Sequence, residues 1–298
     1  MKVLLAGASG LIGGALGQTL GAEGHEVTRL VRSAPTSAAQ LEWHPERGEL
    51  PPAALTGVDA VVCMSGAGVA DHRWTDNYRQ VIRDSRVDTV ATLATALADQ
   101  ADERPRVFLA ASAVGYYGDT GSAKTDESGA AGRGFLARVC QEWEAAAEPA
   151  VRAGVRVVYL RTGLVLAPKA GLLGRLQPLF KLGGGGRLGS GRQYWPWISL
   201  LDEVAALRFL LTSPALTGAV NVTGPEPVTN AEFTAALGRI LHRPALVPVP
   251  GFALRLALGE FAGETLTSQR VIPTKLLDAG FTFAHPDVDA ALRFGLGH

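Results

Sequence analysis

The sequence predicts an α/β protein, a doubly wound parallel sheet with helices on both faces and a smaller C-terminal lobe on the substrate side. Three observations carry this expectation. Short continuous apolar runs such as "KVLLAG" alternate with stretches of helical period, the pattern of strands buried on both faces and of the helices that cover them. The alternation continues regularly to about residue 167, which favours right-handed crossovers into a parallel sheet. A glycine-rich turn, "GASGLIG", joins the first strand to the first helix.

Taken in order, "KVLLAG" is a strand and "LIGGALGQTLGAEG" a helix. "HEVTRLVRS" is the next strand, and "VDAVVCMSG" follows it after the Pro-rich loop "HPERGELPPAAL". "YRQVIRDSRVDTVATLATALADQ" has the length and period of a long helix, and "PRVFLAASAVG" is strand again. "FLARVCQEWEAAAEPAVRAG" is expected as one helix and "VRVVYLRTGLVLAP" as one strand. Beyond residue 167, "KAGLLGRLQPLFKLGGGGRLGSGRQYWPW" is rich in glycine and aromatic residues without strand alternation, and suits a substrate-facing excursion. "ISLLDEVAALRFLLTS" and "GAVNVTG" return to the sheet as helix and strand, and "TNAEFTAALGRILHRP" is an amphipathic helix capped by Asn or Thr. The expected division is residues 1–167 with 198–223 in the sheet domain, and 168–197 with 224–298 in the lobe.

The 298 residues, 47% hydrophobic and 19% charged, suffice for a full core. Lys+Arg and Asp+Glu are both 28, so neither nucleic acid nor an anionic membrane is an expected partner, and a small molecule is. Cys63 and Cys140 form no CxxC, and the six histidines form no HxxxH or HExxH, so no metal is expected. "MKVLLAGASG" reads as a strand and not as a signal peptide, and no apolar run has the length of a membrane span. The expected compartment is the cytoplasm.

Gly7, Gly10 and Gly13 are spaced three apart in "GASGLIG". Without Cβ atoms the backbone there can turn tightly and approach a pyrophosphate, while the helix N-terminus offers free N–H groups. Ser9, Leu11 and Ile12 complete the expected cofactor loop. The end of the second strand decides how the adenosine ribose is held, a carboxylate accepting from a 2′-hydroxyl and a cation accommodating a 2′-phosphate. Val31 and Arg32 stand there, with no carboxylate after Glu26. NADP is therefore expected over NAD, the alternative being that Arg32 is a solvated charge. Ligands of open parallel sheets lie beyond the carboxyl ends of the strands, so Met64, Ser65 and Gly66 should line the cofactor through their backbone.

With "GASGLIGGAL", "GHEVTRLVR", "HRWTDNYRQVIRDSRVDTVATL", "SAVGYYG", "FLARVCQEWEAAA", "RTGLVL", "GSGRQYWPWI" and "LGEFAGETLTSQRVIPTKLLDAGFTF", the chain resembles the extended short-chain dehydrogenase/reductases over almost its full length. More narrowly it is similar to an atypical, epimerase-like subgroup with a distinctive C-terminal segment. The resemblance implies a Rossmann-type fold, a reductase or epimerase acting with NADP(H), and homodimers as a common assembly. It also implies a catalytic Ser, a Tyr-xxx-Lys pair and an upstream Asn, in which the tyrosine transfers a proton and the lysine lowers its pKa and holds the nicotinamide ribose.

This chain departs from that pattern. Ser112 matches the serine, but no tyrosine has a lysine four residues on, and the helix register puts Cys140 at the lysine's place and Leu136 or Phe135 at the tyrosine's. Arg86 falls where the asparagine would be. Its permanently charged guanidinium cannot donate a proton, but it can meet the cofactor's phosphate or ribose, with Val81 adding an apolar contact; a structural ion pair is the alternative. Three groups are candidates for a substitute acid: the Cys140 thiol, if a cation activates it, and the hydroxyl of Tyr116 or Tyr117. Each has a packing role as its alternative. Trp74, Arg192, Gln193 and Trp197 are the candidate substrate contacts, their aromatic and cationic character suiting a ligand with a flat or apolar part and an acidic one. A non-catalytic NADPH-binding sensor or regulator, which would need no Tyr-xxx-Lys pair, is the rival reading.

Overall fold

The computed structural model describes residues 1–100, 105, 107–245 and 247–297. Arg106 in the expected strand "PRVFLAASAVG", Leu246 and the terminal His298 lie outside the described residues.

Strand β1 (Lys2–Ala6) runs into helix α1 (Leu11–Ala22), followed by β2 (Glu26–Val31), β3 (Gln40–Glu42) and β4 (Ala60–Cys63). The long helix α2 (Asp76–Asp99) begins at Thr75, whose hydroxyl accepts from the Tyr78 amide. Strand β5 (Val107–Ala113) ends in a short 3-10 turn, Val114–Tyr117, and helices α3 (Phe135–Ala145) and α4 (Glu148–Arg152) precede β6 (Arg156–Thr162). The expected single helix is therefore two, because Pro149 has no N–H to continue a ladder and fits the first turn of a new helix.

The expected single strand after it also divides. Gly163 separates β6 from β7 (Leu164–Ala167), since a Cβ at Gly163 would stand 2.6 Å from the Pro196 carbonyl oxygen. Strand β7 leaves the main sheet and pairs with β9 (Trp197–Ser199). The glycine-rich excursion contains a helix, α5 (Gly171–Lys181), and a two-residue strand, β8 (Tyr194–Trp195). Leu173 and Phe180 bury one face of α5, a helical period that the surrounding glycines mask in the sequence.

Helix α6 (Leu200–Thr212) and β10 (Gly218–Val222) return to the sheet; β11 (Val228–Thr229) then leads into α7 (Asn230–Ile240). Thr229 and Glu232 form a capping box at that helix's start. The tail holds α8 (Gly251–Leu258), α9 (Phe261–Leu266), α10 (Thr274–Asp278) and α11 (Val288–Leu296).

Seven parallel strands lie in the order β10-β6-β5-β4-β1-β2-β3. The order reverses beside β1, and that switch point is where open α/β sheets bind ligands. Alternate side chains of the sheet feed two cores. Val3, Leu5, Val62, Leu109 and Leu160 face α1 and α6, while Leu4, Val61, Phe108 and Val157 face α2 and Trp143 of α3. A third cluster, with Leu166, Leu173, Trp195, Trp197, Phe233 and Leu292, packs β7, β8 and β9 against α5, α7 and α11. Among the described residues no helix is long and apolar enough to cross a membrane.

Candidate functional site

The glycine turn is built by close approach. Gly7 has φ +81°, and a Cβ on it would stand 2.6 Å from the Met64 carbonyl carbon. Gly13 lies so near the turn that its Cβ would be 2.3 Å from the Gly7 oxygen. Gly10 caps α1 without a side-chain hydrogen bond, and its own amide donates to the Gly7 carbonyl at 3.0 Å. The first amides of α1, at Leu11, Ile12 and Gly13, are left without helical partners. Ser9 and Gly10 are exposed above them. A cradle free of side chains, with the positive end of a helix dipole behind it, suits a pyrophosphate.

On one side of this cradle β2 ends at the half-buried Val31, with the exposed Arg32 just beyond. On the other side Met64 and Ser65 are half-buried and Gly66 exposed, past the end of β4. This loop is tied to α2 by a bond of 3.0 Å from the Ala67 amide to the Ser85 hydroxyl. Arg86 follows on α2. A Cβ on Gly66 would stand 3.2 Å from the Arg86 guanidinium carbon, so the guanidinium lies against the glycine backbone. Arg86 also lies 5.1 Å from the Trp143 ring and donates to the Ile82 carbonyl at 2.8 Å. Val81, on the same helix, is 48% exposed.

Trp74 stands in the loop before α2. Its indole N–H donates to the Val69 carbonyl at 2.7 Å, and its ring packs on Phe135 and Phe261, with centroids 5.0 and 5.7 Å away. It thereby joins the start of α3 to the start of α9.

The groups at the expected catalytic positions are turned elsewhere. Ser112 is buried, and its hydroxyl donates to Glu144 at 2.7 Å. Arg161 grips Glu144 through two bonds, of 2.8 and 2.9 Å. It also donates at 2.9 Å to the Tyr117 hydroxyl, which donates in turn to Asn221 at 2.7 Å. Tyr117 is thus a member of a buried polar network, and burial raises its pKa. Burial opposes the charge on Arg161, but its bonds and attraction to Glu144 outweigh that and hold its pKa above the ordinary value.

Cys140 is buried too, its pKa pushed up to about 12 by burial and then by Glu144. A neutral thiol stands at the lysine's place, which favours the packing alternative for Cys140 over an activated thiolate. Tyr116 differs from these. It is half-buried, the Arg161 guanidinium lies 3.4 Å from its ring centroid, and its hydroxyl has no protein partner among the described residues.

The substrate-loop expectations divide. Arg192 is exposed. Trp197 is 1% exposed in the third core cluster, its N–H donating to the Glu226 carbonyl at 3.0 Å. Gln193 is likewise buried and donates to the Leu188 and Thr265 carbonyls. Both act as internal braces, the side-chain N–H groups being used on backbone carbonyls. A polar cavity of about 670 Å³ opens instead along the loop of residues 117–133, lined by Tyr117, Lys124, Asp126 and Arg133 among others.

Sequence reasoning missed Glu144, Arg161 and Asn221. A signal existed for one of them: an arginine inside the apolar run "VRVVYLRTG" must find an anion or remain unsatisfied.

The strand order and glycine cradle define a Rossmann-type nucleotide-binding protein. Residues 3–223 match the model of the NAD dependent epimerase/dehydratase family, and the chain belongs to that family. Residues 249–294 match a domain of unknown function, DUF1731. The epimerase family protein MT2273 of Mycobacterium tuberculosis is 51% identical over 293 residues, 98% of this chain and 96% of that one. The crystal structure of human epimerase family protein SDR39U1 (isoform 2) with NADPH superposes with a TM-score of 0.88 at 32% identity, covering 98% of each chain. A nucleoside-diphosphate sugar epimerase of Corynebacterium glutamicum gives a TM-score of 0.82 at 32% identity, over 100% of this chain and 58% of that one.

Proposed function

We propose that the protein binds NADP(H) across the ends of β1, β2 and β4 and acts as a reductase or epimerase on a small metabolite. The observation that carries this reading is the cradle, in which Gly7 and Gly13 exclude any side chain while the first amides of α1 stay open. Arg32, beyond β2, would meet a 2′-phosphate, and the human relative crystallised with NADPH supports the same choice. When bound, the nicotinamide supplies or accepts hydride.

The chain's own residues would position the ligand more than they move protons. Ser112 and Tyr117 are committed to the buried network, and the Cys140 thiol keeps its proton. Tyr116 is the hydroxyl left free to donate. The commitment of Ser112 and Tyr117 also favours a second reading, a non-catalytic NADPH-binding sensor or regulator.

Titration of NADPH and NADH against the wild type and Arg32→Ala tests the cofactor reading. The preference for NADPH should fall in the variant, and an unchanged ratio would overturn it. Turnover in Tyr116→Phe separates the two functions once a substrate is found: equal turnover removes the tyrosine from the reaction.

A further inference from the structure

We propose that the face formed by the end of α5, residues 241–249 and α8 docks on an anionic lipid bilayer. The proposal goes beyond the cofactor reading and does not depend on it.

The sequence segregates its charge. Lys+Arg and Asp+Glu balance over the whole chain, which argues against an anionic partner only where the two signs are evenly mixed. Residues 168–198 contain five basic residues and no acidic one, and residues 239–259 contain three basic residues and no acidic one. The fold lays these two segments side by side. The Val249 amide donates to the Arg187 carbonyl at 2.8 Å, and the Gly189 amide to the Val249 carbonyl at 2.9 Å. A Cβ on Gly186 would fall on the Val247 carbonyl, so the two backbones touch there, and the Arg243 guanidinium donates to the Lys181 carbonyl at 3.4 Å. Arg175 and Arg239 pair with Asp71 and Asp289. Lys169, Lys181, Arg187, Arg192, Arg243 and Arg255 are exposed and make no ion pair among the described residues.

The apolar side chains of the same strip are bare. Leu182, at the end of α5 and just before the run Gly183–Gly186, is 86% exposed. Phe252 and Leu256, four residues apart on α8, are 74% and 78% exposed, and Val247 is exposed as well. Cations are interleaved with them, Lys181 next to Leu182 and Arg255 next to Leu256. A groove of about 400 Å³ continues the mixture, lined by Lys169, Lys181 and His242 together with Ile240, Leu241 and Leu296.

This pairing of charge and apolar surface selects the partner. A nucleic acid would satisfy the cations and leave Leu182, Phe252 and Leu256 in water. A bilayer takes both, because Lys and Arg reach the headgroups along their own stems while apolar tips enter the acyl boundary. The negative sign of the lipid follows from the unpaired cations, each of which gains from an anionic surface.

Flotation of the full chain with vesicles tests the docking, using phosphatidylcholine alone and an equimolar mixture with phosphatidylglycerol. The protein should float with the mixture, stay in the dense fractions with phosphatidylcholine, and be released as salt rises from about 0.1 to 1 M. Lys181→Glu combined with Arg255→Glu should weaken binding to the mixture by about thirtyfold or more. Phe252→Ser combined with Leu256→Ser should weaken it by about tenfold or more. A chain that floats with neither vesicle, or equally with both, overturns the proposal, and so does flotation that survives both pairs of substitutions. Binding lost in the charge reversals but kept in the serine pair means an acidic polymer contact and overturns the bilayer. Release by inorganic phosphate at constant ionic strength assigns the cations to a soluble anion and overturns it too. All four side chains are exposed, and circular dichroism with an NADPH titration verifies that each variant is folded.

Discussion

Glu203 is fully buried, and burial pushes its carboxyl pKa up to about 8. One of its oxygens accepts from Thr162 at 2.9 Å, while the other, like the buried Thr223 hydroxyl, has no partner among the described residues. A carboxyl whose pKa is higher in the fold than in the unfolded chain stabilises fully below the unfolded value, about 4.3. That contribution declines as pH rises and is lost through about 8. Glu203→Gln cannot ionise, so its stability relative to wild type should rise between pH 5 and 8, by up to about 1.4 kcal/mol per pH unit. Chemical denaturation across that range checks this, and a constant difference would mean an ionised Glu203 in the fold. Cys63 and Cys140 are both buried with raised pKa values, so neither should react with iodoacetamide at pH 8 until the protein unfolds. Mass spectrometry of native and denatured samples reads this directly. Rapid native labelling of Cys140 would revive a thiolate role.

At the scale of elements, α1 approaches the glycine turn as closely as backbone allows. Gly13→Ala places a methyl 2.3 Å from the Gly7 oxygen, so α1 must move away from β1. The expected cost is about 1–3 kcal/mol, the range for overpacking, with weakened NADPH binding alongside it. Urea denaturation and a binding titration measure the two effects. Helix α7 shows a gentler dependence on local chemistry. Thr229 accepts from the Glu232 amide at 3.2 Å while Glu232 reaches back to the Thr229 amide at 2.7 Å. Thr229→Ala should cost about 1 kcal/mol. The "TNAEF" spacing makes that cap legible in the sequence, as Pro149 could have made the break between α3 and α4. Helix α5 was hidden because glycines and Pro178 interrupt its apolar face.

For the molecule as a whole, the C-terminal segment is a brace on the site. The Gln269 side-chain amide donates to the Val114 and Gly118 carbonyls, at 3.0 and 3.1 Å, on either side of the turn that carries Tyr116 and Tyr117. Asn221 links Tyr117 to the Ile272 carbonyl, and the Glu127 carboxylate accepts from the Asn221 and Lys275 amides. Further along, Asp202 of α6 accepts from the amides of Ala284 and His285. Gln269→Ala removes the amide that donates to both the Val114 and the Gly118 carbonyls. It should lower stability by about 1–3 kcal/mol and shift the near-ultraviolet signal of the tyrosines, while a variant indistinguishable from wild type in both would remove the brace.

Local spacing was enough to specify the alternation of strands and helices, the glycine cradle at Gly7, Gly10 and Gly13, and Arg32 at the end of β2. Each depends on residues close together in the chain, where period, turn chemistry and missing Cβ atoms act directly. The direction in which a polar side chain points was decided only by tertiary structure. Ser112 meets Glu144 from 32 residues away, and Tyr117 meets Asn221 from 104. Burial selects such partners by the cost of leaving charges and hydroxyls unpaired. That cost turned Ser112 and Tyr117 inward and left the Arg86 guanidinium lying against Gly66 with no carboxylate partner among the described residues.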